Sequence, residues 1–341
     1  MTGLRDLAAT ALDAVGVPRA ALALAPPPAG AVTILAYHRV LDVPDEERFP
    51  FDVELVSASR EAFRRQVAHV ARHFTPITFA ALQAALDRGE APPRRALIVT
   101  FDDGFIDNYR VAFPVLREFG VPATIFVSTG YVDRQEHYWY ERVAHAVLTA
   151  RAPRLGLPGG ASVELGTGYG ARRPALKRLL GELKRLEDDA RRREIPRLVA
   201  ELDPASPCEG DDRSGPMTWA QVKEMSDAGI EFGSHGVDHP VLARASDEVL
   251  ERELVQSRAR LEAQTGKPVH ALAYPVGGPG AFDARVVAAA KAAGYRFGVS
   301  YVAGVDNVGT WDPFAIRRLH VERYTGDARF RAMLALPRHF A

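Results

Sequence analysis

Seven short apolar runs punctuate this chain, and segments patterned as helices separate most of them. The runs are Val32–Tyr37, Ala96–Phe101, Ala123–Val127, Ile230–Ser234, Val269–Tyr274, Arg296–Ser300 and Phe314–Leu319. Helical patterning falls near residues 60–72, 78–88, 107–119, 218–228, 246–264 and 283–293, with Thr218 and Ser246 placed as N-caps. Strands that alternate with helices are joined by crossovers and so run parallel. The expectation is an α/β fold, a distorted (β/α) barrel of seven or eight parallel strands. Such a barrel gathers the carboxyl ends of its strands on one face, where catalytic groups sit.

One stretch breaks the rhythm. Residues 131–216 separate the third apolar run from the helix that starts near Thr218. Within it, Leu176, Leu179, Leu180, Leu183 and Leu186 mark one helical face, against Lys177, Arg178, Lys184, Arg185 and the run Arg191-Arg192-Arg193. This reads as an amphipathic helix packed on the barrel with a solvated charged face; a lid or a surface for an anionic substrate is the sharper alternative. The expected organisation is an N-terminal helix and Pro-rich linker over 1–30, a barrel over 31–130 and 217–330, and a helical insertion or lid over 131–216.

Charge and cysteine content narrow the function classes. Forty-three basic residues cancel 43 acidic ones, which argues against the basic face of a nucleic-acid-binding protein. The single cysteine, Cys208, sits in a Pro/Asp/Gly-rich stretch without an evident base, so a catalytic thiol is not expected. No run of about 18 apolar residues predicts a transmembrane helix. Asp6, Asp13 and Arg19 interrupt any signal-peptide core, and Leu4, Leu7, Leu12 and Val15 suggest a short amphipathic helix instead. The expectation is a cytoplasmic protein, with peripheral contact at the inner face of the membrane as the alternative.

Two strand ends can carry chemistry. The run Ile98-Val99-Thr100-Phe101 ends on Asp102-Asp103-Gly104. Asp-Gly is common in turns, but adjacent carboxylates repel unless a cation separates them or one keeps its proton. The second is Ser234-His235-Gly236-Val237-Asp238-His239-Pro240. Gly236 and Pro240 oppose a regular helix, so this reads as a strand opening into a loop. Imidazole and carboxylate together suit zinc or another divalent transition metal. Asp103, His235 and His239 make three ligands and leave a position open, as in catalytic sites.

These segments resemble the polysaccharide deacetylases of carbohydrate esterase family four, the NodB-homology fold. Thr100-Phe101-Asp102-Asp103-Gly104 is similar to that family's first motif and His235-Gly236-Val237-Asp238-His239 to its second, with Gly236 where Ser or Thr is usual. Ala273-Tyr274-Pro275-Val276-Gly277 resembles the third, with Ala273 where Arg is frequent. The resemblance implies a divalent metal, zinc above all, held by Asp103, His235 and His239. It implies Asp102 as general base and Tyr274 and Val276 at the substrate and oxyanion, the donor being the Val276 backbone N–H. Arg318, on the last predicted strand, is a candidate to orient Asp102 in place of the absent arginine. The general acid falls to His38 or His320, both at strand ends; similarity to circularly permuted exopolysaccharide deacetylases favours His38.

The implied activity is removal of N-acetyl groups from N-acetylhexosamine units of a polysaccharide or its lipid-linked precursor. An O-acetyl esterase on glycans and a catalytically silent glycan-binding module are the alternatives. Other residues read as ordinary: His69 and His73 as helix-surface histidines, and Trp219 as packing in the first turn of its helix. Trp139 and Tyr140 are candidates to stack on a sugar or to anchor the insertion, and Trp311 to line the cleft.

Overall fold

The computed structural model describes residues 3–24, 27–208 and 214–340. Ala25 and Pro26 of the Pro-rich linker, and residues 209–213 of the insertion, lie outside the described residues. Seven strands form the barrel: β1 (Ala31–Tyr37), β2 (Ala96–Phe101), β3 (Ala123–Val127), β4 (Glu231–Ser234), β5 (Ala271–Ala273), β6 (Phe297–Ala303) and β7 (Ile316–His320). Each pairs in parallel with the next, and β1 closes the circle by pairing with both β2 and β7. The register runs Val32 to Ala96 through Tyr37 to Phe101 on one side of β1, and Leu35 to Leu319 on the other. The sequence expectation of seven or eight strands thus resolves to seven.

Closure follows from the composition of the strands. All seven residues of β1 and all six of β2 are buried, because one face packs inside the barrel and the other under helices. Val32, Ile34, Ile98, Phe126, Phe297 and Val299 fill the interior. Trp311 packs against this cluster, 6.0 Å from Phe297 at the amino-terminal end of β6. It plugs the end opposite the carboxyl ends of the strands, so the expectation that it lines the cleft is corrected.

The helices form where the periodicity places them, including α3 (Arg60–His73), α10 (Trp219–Asp227) and α11 (Asp247–Thr265). Thr218 and Ser246 accept from the backbone N–H of Gln221 and Val249, satisfying donors that a helix start leaves unpaired. Between β3 and β4 the chain builds α6 (Thr129–Arg134), α7 (Trp139–Leu148), α8 (Tyr169–Leu183) and α9 (Asp188–Leu202). Leu176, Leu179, Leu180 and Leu183 pack with Val143, Val147 and Leu198 in a separate apolar cluster. Arg191 does not belong to a solvated face: its side chain is buried and bonded to Asp188, while Arg193 is exposed.

Candidate active site

The carboxyl ends of β1, β2, β4 and β7 bring His38, Asp102, Asp103, His235 and His320 to one mouth of the barrel, and the loop after β4 adds His239. Asp103 Oδ1 lies 3.5 Å from His235 Nε2 and 3.2 Å from His239 Nε2. One ligand atom from each of the three residues lies within 4.8 Å of the others, and all three residues are buried. Asp103 and His239 adopt left-handed backbone conformations, with φ of 76° and 53°. Such conformations are uncommon outside glycine and persist where the surroundings fix them.

Second contacts set the direction of each ligand. His235 Nδ1 is 2.7 Å from the carbonyl of Ala273. A carbonyl only accepts, so Nδ1 carries the proton and Nε2 turns its lone pair toward Asp103. Burial, then the neighbouring His239, holds the His235 imidazole down to about 4. Burial pushes Asp103 upward, but His239, His38 and His235 together outweigh it and keep the carboxyl well below its ordinary range. Asp103 Oδ1 has no hydrogen-bond partner among the described residues. A buried, unsatisfied carboxylate oxygen facing two imidazole nitrogens fits a divalent cation, and one carboxylate with two imidazoles is a donor set suited to zinc and its neighbours.

Asp102 points elsewhere. Arg318, fully buried on β7, grips it with two parallel bonds, Nη1 to Oδ1 and Nη2 to Oδ2, each 2.7 Å. The guanidinium is itself fixed by the Ser300 carbonyl at 2.8 Å and by Thr100 Oγ1 at 3.2 Å. Burial raises the Asp102 pKa, but the charge and bonds of Arg318 outweigh burial and leave it below 3.8. Asp102 is therefore a carboxylate near neutral pH.

Two histidines flank this carboxylate in different surroundings. His38 Nε2 is 3.9 Å from Asp102 Oδ2, and its side chain remains 19% exposed. Its backbone is held by Ser57 Oγ and Asn108 Nδ2, both at 2.9 Å. His320 pairs across from Ala36 and stacks flat on Tyr301, 3.7 Å between ring centres. Burial, then Arg318, holds His320 down to about 4.

Val276 has φ of +66°, a costly conformation for a β-branched residue. The turn is fixed by Gly277, where a Cβ would meet Tyr301 N at 2.6 Å. Tyr274 is not brought to the cleft. Its ring stacks on Phe282 at 4.2 Å and its hydroxyl donates to the Phe314 carbonyl at 2.9 Å, so its expected substrate contact is corrected. Trp139 and Tyr140 are buried; the Trp139 indole donates to the His239 carbonyl at 3.1 Å, so these side chains anchor the insertion to the ligand loop. Burial pushes the Cys208 thiol up to about 12, which removes it as a nucleophile near neutral pH.

Sequence reading missed Glu253. This fully buried residue of α11 accepts from the backbone N–H of Val237 at 2.6 Å and of Asp238 at 2.9 Å. A Cβ at residue 236 would stand 2.8 Å from Glu253 Oε2. The signal was the glycine itself: its missing side chain leaves the room that the carboxylate uses. Tyr138 was missed as well; its hydroxyl donates to the Asp103 carbonyl at 2.6 Å.

Comparison with known proteins agrees with this geometry. Residues 89–298 match the profile of the family described as Polysaccharide deacetylase. A poly-beta-1,6-N-acetyl-D-glucosamine N-deacetylase of Escherichia coli (strain K12) is 30% identical over 113 residues, 33% of this chain and 16% of that protein. The chain spans about half or less of the length of the curated relatives it matches, 49% and 16%. Among solved structures, the Streptococcus pyogenes deacetylase PplD in complex with acetate superposes with a TM-score of 0.58 at 20% identity, over 88% of this chain and 96% of that one. IcaB from Ammonifex degensii gives a TM-score of 0.55 at 18% identity, over 90% and 96%. At these identities the two structures attest the fold.

Proposed function

Because this chain belongs to the polysaccharide deacetylase family, we propose that it is a metal-dependent N-deacetylase acting on N-acetylhexosamine units of a polysaccharide or its lipid-linked precursor. The observation that carries the reading is the division of labour between neighbouring carboxylates. Asp103 faces two imidazoles, while Asp102 is turned away and locked by Arg318. A glycan-binding module has no need of a buried base beside a ligand cluster. The sugar is suggested by the relative named as a poly-beta-1,6-N-acetyl-D-glucosamine N-deacetylase.

Asp103, His235 and His239 hold the metal, with zinc the choice best suited to the donor set. When bound, it supplies a Lewis acid that polarises the acetyl carbonyl and acidifies a water. Asp102 takes a proton from the attacking water on a carboxylate oxygen that Arg318 keeps oriented and ionised. The Val276 backbone N–H donates to the oxyanion that develops on the acetyl oxygen. His38 gives a proton to the departing amine nitrogen; it is the histidine nearest Asp102 that keeps exposure to the cleft. His320, held neutral under Tyr301, has no proton to give near pH 7.

The test uses an acetylated hexosamine oligomer, with free acetate, free amine and bound metal all measured. Asp102→Asn should keep the metal and lose acetate release by about 10²–10⁴-fold, the usual contribution of a positioned base. Asp103→Ala should lose the metal. Normal turnover in Asp102→Asn would overturn the mechanism. Acetate without new amine, on substrates that also carry O-acetyl groups, would assign an esterase. Of His38→Ala and His320→Ala, only the first should be crippled in amine expulsion.

A further inference from the structure

Three consecutive aromatic residues meet the ligand cluster where α7 begins. Tyr138 donates its hydroxyl to the Asp103 carbonyl at 2.6 Å, and the Trp139 indole donates to the His239 carbonyl at 3.1 Å. Each of these two ends on the backbone of a ligand residue. Tyr140 ends on nothing. Its ring stacks on Tyr138, 5.3 Å between centres at an angle of 13°, and its other side meets the His239 imidazole at 5.2 Å. The Tyr140 ring is therefore held between a side chain that reaches Asp103 and an imidazole whose Nε2 is 3.2 Å from Asp103 Oδ1. Tyr140 is only 6% exposed, and its hydroxyl has no hydrogen-bond partner among the described residues. A buried hydroxyl left unpaired costs the full penalty of its removal from water, so this group calls for an acceptor.

The chemistry of the neighbours selects one. Asp103 Oδ1 is buried, can only accept, and is likewise unpartnered among the described residues. A carboxylate oxygen has two lone pairs, so one that gives a pair to a metal keeps the other for a donor. His239 Nδ1 is unpartnered too, but an imidazole that binds metal through Nε2 carries its proton on Nδ1 and donates. Glu141 follows Tyr140 directly, and successive side chains on a helix do not face each other. Its carboxylate is turned to Arg39 at 3.4 Å and His137 at 3.8 Å. Burial first, then the charge of Asp103, pushes the Tyr140 hydroxyl well above its ordinary 10, so the phenol keeps its proton to give.

We propose that Tyr140 is a positioning residue of the cluster: in the metal-loaded protein its hydroxyl donates to the Asp103 carboxylate and fixes the orientation in which that carboxylate meets the metal. This role rests on Asp103, His235 and His239 holding the metal. It gives the insertion between β3 and β4 a hold on a ligand side chain, beyond the two backbone carbonyls that Tyr138 and Trp139 engage. Outer contacts of this kind aim a ligand and tune its affinity for the ion.

Zinc titration of the full chain, with thermal unfolding measured with and without zinc, tests this. Tyr140→Phe removes the hydroxyl and keeps the ring between Tyr138 and His239. It should weaken zinc binding about 10–100-fold and shrink the rise in Tm that zinc brings. Without zinc its Tm should equal or exceed that of the parent, because the variant no longer buries an unpaired hydroxyl. A hydroxyl with a merely structural partner would do the reverse, lowering the zinc-free Tm and leaving the affinity alone; that result overturns the proposal. Asp103→Ala, measured alongside, separates this role from the metal assignment on which it rests. Zinc binding that Asp103→Ala abolishes and Tyr140→Phe leaves at the parental affinity overturns the role of Tyr140 alone. Zinc binding that Asp103→Ala does not weaken overturns the metal assignment, and the Tyr140 contact with it.

Discussion

Arg318 shows how one residue can carry a role that its position in the sequence hides. It is fully buried, and its charge and two bonds to Asp102 are the main opposition to burial, ahead of His235 and His38. Arg318→Ala should therefore raise the Asp102 pKa, because the largest opposition to burial is then removed. The acid limb of the kcat/KM profile should move to higher pH. Leaving a buried charge without its partner should also cost about 3–5 kcal/mol of stability, readable by denaturant unfolding. An unmoved acid limb would show that Arg318 does not set the base. At this scale the legible residues were those whose own chemistry demands a partner, Asp102, Asp103, His235 and His239. Arg318 was legible only as the arginine on the last strand, since nothing local says that β7 lies within reach of β2. Tyr274 misled for the converse reason. Its neighbours Pro275 and Val276 turn the chain at the mouth, but strand alternation sends the Tyr274 ring out of the barrel interior, under the helices and onto Phe282.

The loop between His235 and His239 is the element on which the site depends, and it is gripped from two sides. Glu253 of α11 accepts two of its backbone N–H groups. On the other side Trp139 of α7 donates to the His239 carbonyl, and Arg134 and Arg192 hold Asp238 at 2.8 and 3.0 Å. The insertion thus helps to build the ligand loop. Sequence periodicity revealed its leucine face, but Arg191 and Trp139 looked like a charge run and an aromatic cluster because their partners lie across the fold. Glu253→Ala should leave two part-buried N–H groups without their carboxylate acceptor and weaken metal binding about 10–100-fold, the usual effect of losing an outer-shell contact. Titration of the apoprotein with zinc checks this without reference to turnover. Gly236→Ala should have the same direction, because φ is +78° there and the new Cβ would press on the Glu253 carboxylate. Zinc affinity equal to the parent in both variants would remove Glu253 from the site.

Across the whole molecule the barrel was the most legible feature, because each strand and helix is encoded by local periodicity and the right-handed crossover rule leaves few ways to join them. The strand count was less so. β5 keeps only Ala271–Ala273 in regular pairing, and only closure between β1 and β7 fixes the total at seven. Acid stability is likewise a property of the assembled chain, since histidines distant in sequence are buried without charge. His69 packs where α3 meets α13 (Asp327–Ala335), 6.1 Å from Phe330, and His320 packs on Tyr301. Burial first, then His73, Arg331 and Arg19 for the one and Arg318 for the other, hold both at about 4 against an ordinary 6.5; Asp13 pulls His69 weakly the other way. Between those values each of these histidines binds more protons in the unfolded chain than in the folded one, so its contribution to stability falls as pH drops from 6.5 toward 4. Asp102 has the same sign at lower pH: its depressed pKa contributes stability above 3.8 that is lost as pH falls further. Thermal unfolding at constant ionic strength should show a steady decline in Tm across the histidine window. His69→Gln should flatten that decline, because one of the histidines whose folded form resists protonation is then gone. A pH dependence of Tm that is identical in His69→Gln and the parent would mean that this histidine is as accessible to protons in the folded chain as in the unfolded one.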